Sequence, residues 1–301
     1  MLLSTTSLSC TNLGRKSIAQ TAASSSSASN TLPDIDTYSH VRHSTINTAN
    51  YNCMHATLSP DGTKLYTLHR RTSSTYLFYE QNLSTAFDIS SYGSTTVGFN
   101  MRNDGGGPSF YYPNCFRFVD NGSKLYACNY EGKVKQYNLS TPWDTSTRTR
   151  ISTVDITTGS TSGIFWKPDG NTLFYVDSGN DRVYAKHVST PWDLTTITST
   201  DQSFLLDITT TINEASPFDL YFSNDGLKLY IMGADNDYVY QYNLSTAWDI
   251  TTSSFSYGPA DKSLYVGNVE TSGVGLHFSP DGTHMYIAGQ TGNGVDQFVS
   301  S

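Results

Sequence analysis

The stretch YNLSTPWDTST at residues 137–147 decides the fold, because the chain keeps returning to it. HVSTPWDLTT follows at 187–196, YNLSTAWDITT at 242–252, and QNLSTAFDISS precedes it at 81–91. A second phrase travels with the first: LSPDGTKLYTL (58–68), FVDNGSKLYAC (118–128), WKPDGNTLFYV (166–176), FSNDGLKLYIM (222–232) and FSPDGTHMYIA (278–288). The Asp-Gly or Asn-Gly pairs of these five copies begin at Asp61, Asn121, Asp169, Asp225 and Asp281, giving steps of 60, 48, 56 and 56 residues. Self-similarity at this period marks a propeller or a solenoid.

Each unit divides into four short strands. An alternating stretch such as GLHFS forms strand A, and Asp-Gly supplies the positive-φ positions of a tight hairpin turn. HMYIAG then forms strand B, a variable loop leads to strand C (YVYQYNL, 238–244), STPWD turns the chain, and a Thr/Ser-rich strand D ends the unit. Four antiparallel strands repeated in series describe β-propeller blades.

The phase of the repeat predicts how the ring closes. The Asp of the WD phrase falls at 88, 144, 193 and 249, and one period further back lies DIDTYS at 34–39, which matches DISSYG at 88–93. Residues 34–48 therefore read as a strand D with no A, B or C before it. The other end, GVDQFVSS (294–301), supplies a strand C with no D after it. The expectation is an all-β, five-bladed propeller over 34–301. Its last blade is completed by the N-terminal strand, which removes the exposed sheet edges. An open solenoid is the alternative.

On these motifs the chain resembles the WD40-like, surface-layer and YVTN-type propeller repeats. It is most similar to the LSTPWD repeats of marine bacterial and phage-encoded structural or surface proteins. The resemblance spans about residues 34–301. What it implies of function is membership of a virion or a cell surface, since the propeller itself hosts many functions.

Composition narrows the partners. The formal net charge is −8, and charged residues make up 15% of the chain. That argues against nucleic acid, whose phosphates demand clustered Lys and Arg. No apolar run reaches the ~18 residues of a membrane helix. The opening MLLSTTSLSCTNLGRKSIAQ lacks the basic start and apolar core of a secretory signal. Residues 1–33, which include the Ser-rich AQTAASSSSASNT, lie outside the repeat and read as an extended arm. No pair of the four cysteines has the CxxC spacing of a zinc site, and no cofactor is implied. Cys115 and Cys128 flank the Asn121-Gly122 turn; free thiols are the expectation and a disulfide across the hairpin is the alternative.

Propeller geometry sorts the rest by face. The repeated A–B and C–D turns share one face, and the variable B–C loops and D–A connections share the other. The longest variable excursion, NMRNDGGGPSFYYPN (100–114), joins the first two blades. Its Arg102, Asn103, Asp104, Phe110, Tyr111 and Tyr112 suit a glycan or a protein hot spot; the plainer reading folds the loop over the channel mouth with its tyrosines packed. Glu214 and Glu270 stand at equivalent places in neighbouring units, each eleven residues before the turn Asp. Being in neighbouring blades they could approach each other as the paired carboxylates of a glycosidase, and solvated loop carboxylates explain them as well. His55 and His277 fall on A strands, as channel or core polar groups rather than metal ligands. The aromatics Trp143, Trp192, Trp248 and Phe87 read as plugs between blades.

The leading expectation is a non-enzymatic bacteriophage virion protein, as a capsid decoration, neck or tail component. Residues 1–33 and the repetitive face would meet other virion proteins, and the variable face would meet a host-surface glycan or protein. A secreted or surface carbohydrate-binding propeller comes second and a five-bladed glycoside hydrolase third.

Overall fold

A computed structural model describes residues 31–46, 51–93, 96–104, 110–198, 206–207, 214–254 and 262–301. Most of the arm therefore lies outside the described residues. The rest forms five antiparallel sheets in succession. After strand β1 (Tyr38–Ser44) comes the first blade, β2 (Asn52–Leu58), β3 (Lys64–Thr72), β4 (Thr75–Asn82) and β5 (Thr96–Asn100). The second holds β6 (Pro113–Val119), β7 (Lys124–Asn129), β8 (Lys133–Leu139) and β9 (Arg148–Asp155). The third holds β10 (Thr161–Trp166), β11 (Thr172–Asp177), β12 (Arg182–His187) and β13 (Leu206–Asp207). In the fourth, β14 (Pro217–Phe222), β15 (Lys228–Gly233), β16 (Tyr238–Leu244) and β17 (Ser253–Ser254) are joined by β18 (Ser263–Tyr265), which also pairs with β16. The fifth, β19 (Gly273–Phe278), β20 (His284–Gly289) and β21 (Gly294–Ser300), is completed by β1, with Tyr38 opposite Ser300 and Ser44 opposite Val295. The innermost strands touch in the order β2, β6, β10, β14, β19 and back to β2, so the ring is closed.

The repeated phrases build the seams. In each of the first four blades the turn glycine (Gly62, Gly122, Gly170, Gly226) takes a positive φ, and an aromatic from the C–D turn lies flat against it. A Cβ on Gly226 would sit 2.2 Å from Trp248 Cε2. The aromatic is itself left-handed, at φ 62–66° for Phe87, Trp143, Trp192 and Trp248, and donates its N–H to the glycine carbonyl. The following Asp (88, 144, 193 or 249) caps a single 3-10 turn through its side chain. That turn buries one residue: Ile89, Thr145, Leu194 or Ile250.

Blade five takes the same parts from the other end of the chain. Pro33 and Leu32 cover Gly282, and Ile35–Thr37 forms the 3-10 turn with Ile35 fully buried. Asp34 departs from its counterparts: its side chain makes no cap and instead reaches blade four, accepting from Lys228 at 2.7 Å and Lys262 at 2.6 Å. Those two ammonium donors hold its pKa well below the carboxylate range.

Blades are clasped to their successors by a tyrosine on strand B and a Gln or Glu on strand C. Tyr66 donates to the Trp143 carbonyl (2.6 Å), Tyr126 to that of Trp192, Tyr230 to that of Pro33 (3.0 Å) and Tyr286 to that of Phe87 (2.8 Å). Beside them Glu80, Gln136, Gln241 and Gln297 accept the N–H that opens the next blade's 3-10 turn, at Thr145, Leu194, Ile35 and Ile89. Blade three puts Phe174 and Ala185 at these two places. Its seam with blade four is apolar, with Phe174 4.5 Å from Phe222 and 6.4 Å from Trp248 between ring centroids. The repeated aromatics thus plug the seams as expected, each seated on its own blade's hairpin glycine.

Candidate functional site

The inner strands alternate, so every second side chain faces the axis. Counting back from the turn Asp or Asn, the sixth residue is His55, Cys115, Gly163, Asp219 or Gly275, and the fourth is Thr57, Arg117, Phe165, Tyr221 or His277. These make two stacked rings, one residue per blade, the second nearer the repetitive face.

The deeper ring is charged and sealed. Asp219 is fully buried. Its Oδ2 accepts from Arg117 Nη2 (2.8 Å), Leu276 N (2.8 Å) and His55 Nε2 (3.1 Å), and its Oδ1 from Leu220 N (2.9 Å). Burial opposes ionisation, but the charges of Arg117 and His55, with these donors, hold the Asp219 pKa down. Arg117 also donates to the carbonyls of Ile164 (3.0 Å), Leu220 (3.0 Å) and Leu276 (3.1 Å), tying blade two to blades three, four and five across the axis. Gly163 and Gly275 supply the room: a Cβ would stand 2.6 Å from Asp219 Oδ1 and 3.0 Å from His55 Cα respectively.

His55, Cys115 and Asp219 bring three possible metal-ligand atoms within 4.8 Å of one another. The set does not suit a cation. A guanidinium occupies the carboxylate, and its oxygens are already supplied with donors. Cys115 and Cys128 are direct cross-strand partners, and both are free and buried.

Above Arg117 the channel opens on the repetitive face as a funnel of about 200 Å³. Phe118, Phe165, Phe278, Trp143 and Trp166 form its walls, Pro60 and Pro280 its rim, and Arg117, Tyr221, Thr57 and His277 its floor. His277 Nδ1 pairs with the Thr57 hydroxyl at 3.0 Å. Burial, then the charges of Arg117 and His55, push the His277 pKa well below the usual imidazole range.

The variable face holds the candidates named from sequence, in separate places. Glu214 and Glu270 are fully buried, not solvated. Glu214 accepts the backbone N–H of Ser216 (2.9 Å) and Asp235 (3.1 Å) and packs on Gly233. Glu270 accepts those of Ser272 (2.9 Å), Thr291 (3.0 Å) and Gly292 (3.0 Å) and packs on Gly289. Each laces its own blade's D–A connection to its B–C loop. Burial raises the Glu214 pKa against the pull of those N–H donors.

Residues 105–109 of the 100–114 excursion lie outside the described residues; Met101, Asp104 and Phe110 on either side of them sit at the seam of blades one and two. Phe110 is buried in the cluster of Phe78, Phe99, Phe116 and Tyr137. Asp104 is bound by Lys135 (2.8 Å) and Tyr137, with Arg150 at 3.4 Å; burial opposes its charge, but the Lys135 and Tyr137 donors keep its pKa low. Asn103 is exposed. Arg102 lies 4.4 Å over the Tyr111 ring, and Tyr111 and Tyr112 stand 37% and 45% exposed, the latter at φ 52°.

The fold defined by these sheets is a five-bladed β-propeller. No family model matches the chain, and no curated protein does. Among solved structures it is similar to a periplasmic gluconolactonase of Pseudomonas aeruginosa (12% identity, 76% of this chain and 58% of that one, TM-score 0.41). It is also similar to a protein of Lactobacillus plantarum (17%, 78% and 63%, TM-score 0.42) and to one of unknown function from Desulfotomaculum acetoxidans (14%, 82% and 68%, TM-score 0.42). The chain spans about three-fifths of the length of the first two. Likeness of this degree carries nothing about activity, and the fold stands on the sheet topology.

Proposed function

We propose that this protein is a non-enzymatic assembly module, in its finer form a bacteriophage virion component carried by its N-terminal arm. The observation that carries the reading is the employment of its acids. Asp219, Asp104, Glu214 and Glu270 are each bound by several donors of the fold, so none of these four is free as a general acid or base. The entry of the chain supports it too: Leu32 and Pro33 rest on the Gly282 turn, so the described chain enters the ring on the repetitive face. The LSTPWD resemblance suggests the virion setting.

The test is a deletion of residues 1–30, which spares the Leu32–Pro33 plug. The propeller should keep its unfolding midpoint and fail to enter particles; a deletion product incorporated as well as the full chain refutes the anchoring. A second reading, glycan binding on the variable face, is favoured by the Arg102–Tyr111 stack and exposed Tyr112. Glycan-array binding lost in Tyr111→Ala and Tyr112→Ala would favour it over assembly.

A further inference from the structure

The axial funnel is unlike the other concavities beside the repeated turns because its floor carries chemistry. Its walls are aromatic, and its volume of about 200 Å³ suits one ring with a small substituent. His277 is 9% exposed, and its Nδ1 is taken by Thr57. Its Nε2 has no partner among the described hydrogen bonds and is not among the fully enclosed atoms lacking one, so the surface it retains lies in the cavity that His277 lines. When the Thr57 hydroxyl donates to Nδ1, Nε2 carries the proton and offers a donor to the cavity. Behind it stands the Arg117 guanidinium with its partner Asp219, and none of the residues that line the funnel is a carboxylate. Donor and cation lie at the base of an apolar sleeve, where the low local dielectric strengthens a charge-assisted hydrogen bond.

From this arrangement we infer that the funnel is a binding site for a compact, single-ring organic carboxylate, with the ring between Phe165, Phe278 and Trp143 and the carboxylate on His277 Nε2 above Arg117. The inference goes beyond the assembly role and does not rest on it: a propeller incorporated into particles and one that is not would both carry this site.

Three probes of one shape read the site. Benzoate, benzyl alcohol and benzylamine are titrated into the full chain while the fluorescence of Trp143 and Trp166, both on the funnel wall, is followed. Benzoate should quench saturably and bind about ten-fold more tightly than benzyl alcohol, the worth of one charge-assisted hydrogen bond; benzylamine should not saturate. His277→Phe keeps a ring and removes the donor, so it should weaken benzoate about ten-fold and benzyl alcohol, whose hydroxyl accepts the same N–H without charge, by clearly less. Equal affinity for the three probes, or benzoate binding indifferent to His277→Phe, overturns the inference. Should that variant fail to fold, magnetisation transfer from benzoate to the Trp143 and Phe165 protons of the unaltered chain decides, and its absence overturns the inference as well.

Discussion

The tyrosine clasps make a graded prediction. Tyr→Phe at 66, 126, 230 or 286 removes one hydroxyl from a buried ring and leaves no void of consequence, so the change in stability reports the hydrogen bond. What distinguishes the four is the carbonyl left behind. The Trp143 carbonyl retains Lys64 Nζ at 3.1 Å, and that of Trp192 retains Gln136 Nε2 at 3.1 Å. The carbonyls of Phe87 and Pro33 have the tyrosine as their one partner among the described hydrogen bonds. An ordinary hydrogen bond contributes about 0.5–1.5 kcal/mol net, and an acceptor stripped of its donor costs more. Tyr66→Phe and Tyr126→Phe should therefore cost about 0.5 kcal/mol, and Tyr230→Phe and Tyr286→Phe about 1–2 kcal/mol. The converse change, Phe174→Tyr, should gain up to about 1 kcal/mol if its hydroxyl reaches the Trp248 carbonyl. Equilibrium denaturation followed by tryptophan fluorescence measures all five, with an unchanged slope confirming that the unfolding is the same. An inverted order, or four costs indistinguishable from zero, would show that water serves these carbonyls and that the clasps contribute nothing.

Gly226→Ala should be among the most damaging single-atom additions, about 2–4 kcal/mol, because it combines a φ of 72° with a contact of 2.2 Å to Trp248; a melting temperature within a degree of the parent would contradict the seating of the aromatic. Asp34 ties the N-terminal strand to blade four, and its depressed pKa means that its contribution is complete above the unfolded value near ~4 and fades as pH falls toward the folded one. Asp34→Asn should thus lower stability at pH 7 by less than ~1 kcal/mol, given a side chain 37% exposed, and the difference should shrink in acid; a gap that widens on acidification would reverse the assignment. Cys53, Cys115 and Cys128 are fully buried, so an aromatic disulfide reagent should find at most one fast thiol in the native chain and four in denaturant. Rapid titration of more than one would mean that the inner strands open.

Local chemistry written once per blade was legible in the sequence. Asp-Gly, the WD phrase and their phase carry the blade count, the split blade and the seating of Trp143, Trp192 and Trp248, because each is a short-range rule repeated until it is unmistakable. The site was less legible because it is made of differences between copies. His55, Cys115, Arg117 and Asp219 come from three blades and meet only at the axis. One signal was available: the fixed offsets of six and four residues before each turn Asp or Asn bring the two axial rings out of the sequence. Glu214 and Glu270 were placed rightly on equivalent connections, but their burial depends on backbone N–H groups, which no residue code announces. Asp104 was illegible for another reason: its partners are side chains, Lys135, Tyr137 and Arg150, that lie over 30 residues further along the chain.

The pairing of β1 with β21 also sets a timetable. Tyr38 and Ser300 face each other across 262 positions of sequence, so a strand made early has no partner until nearly the whole chain has followed. At ~5–20 residues per second the interval is roughly 13–52 s. Throughout it the nascent chain carries one unpaired strand and, later, a three-stranded sheet with an open edge. The last blade is then the step at which one chain can be taken for another. A β1 supplied by a neighbour would satisfy the same register, and synthesis on crowded ribosomes would favour such exchanged rings over those made by a dilute chain.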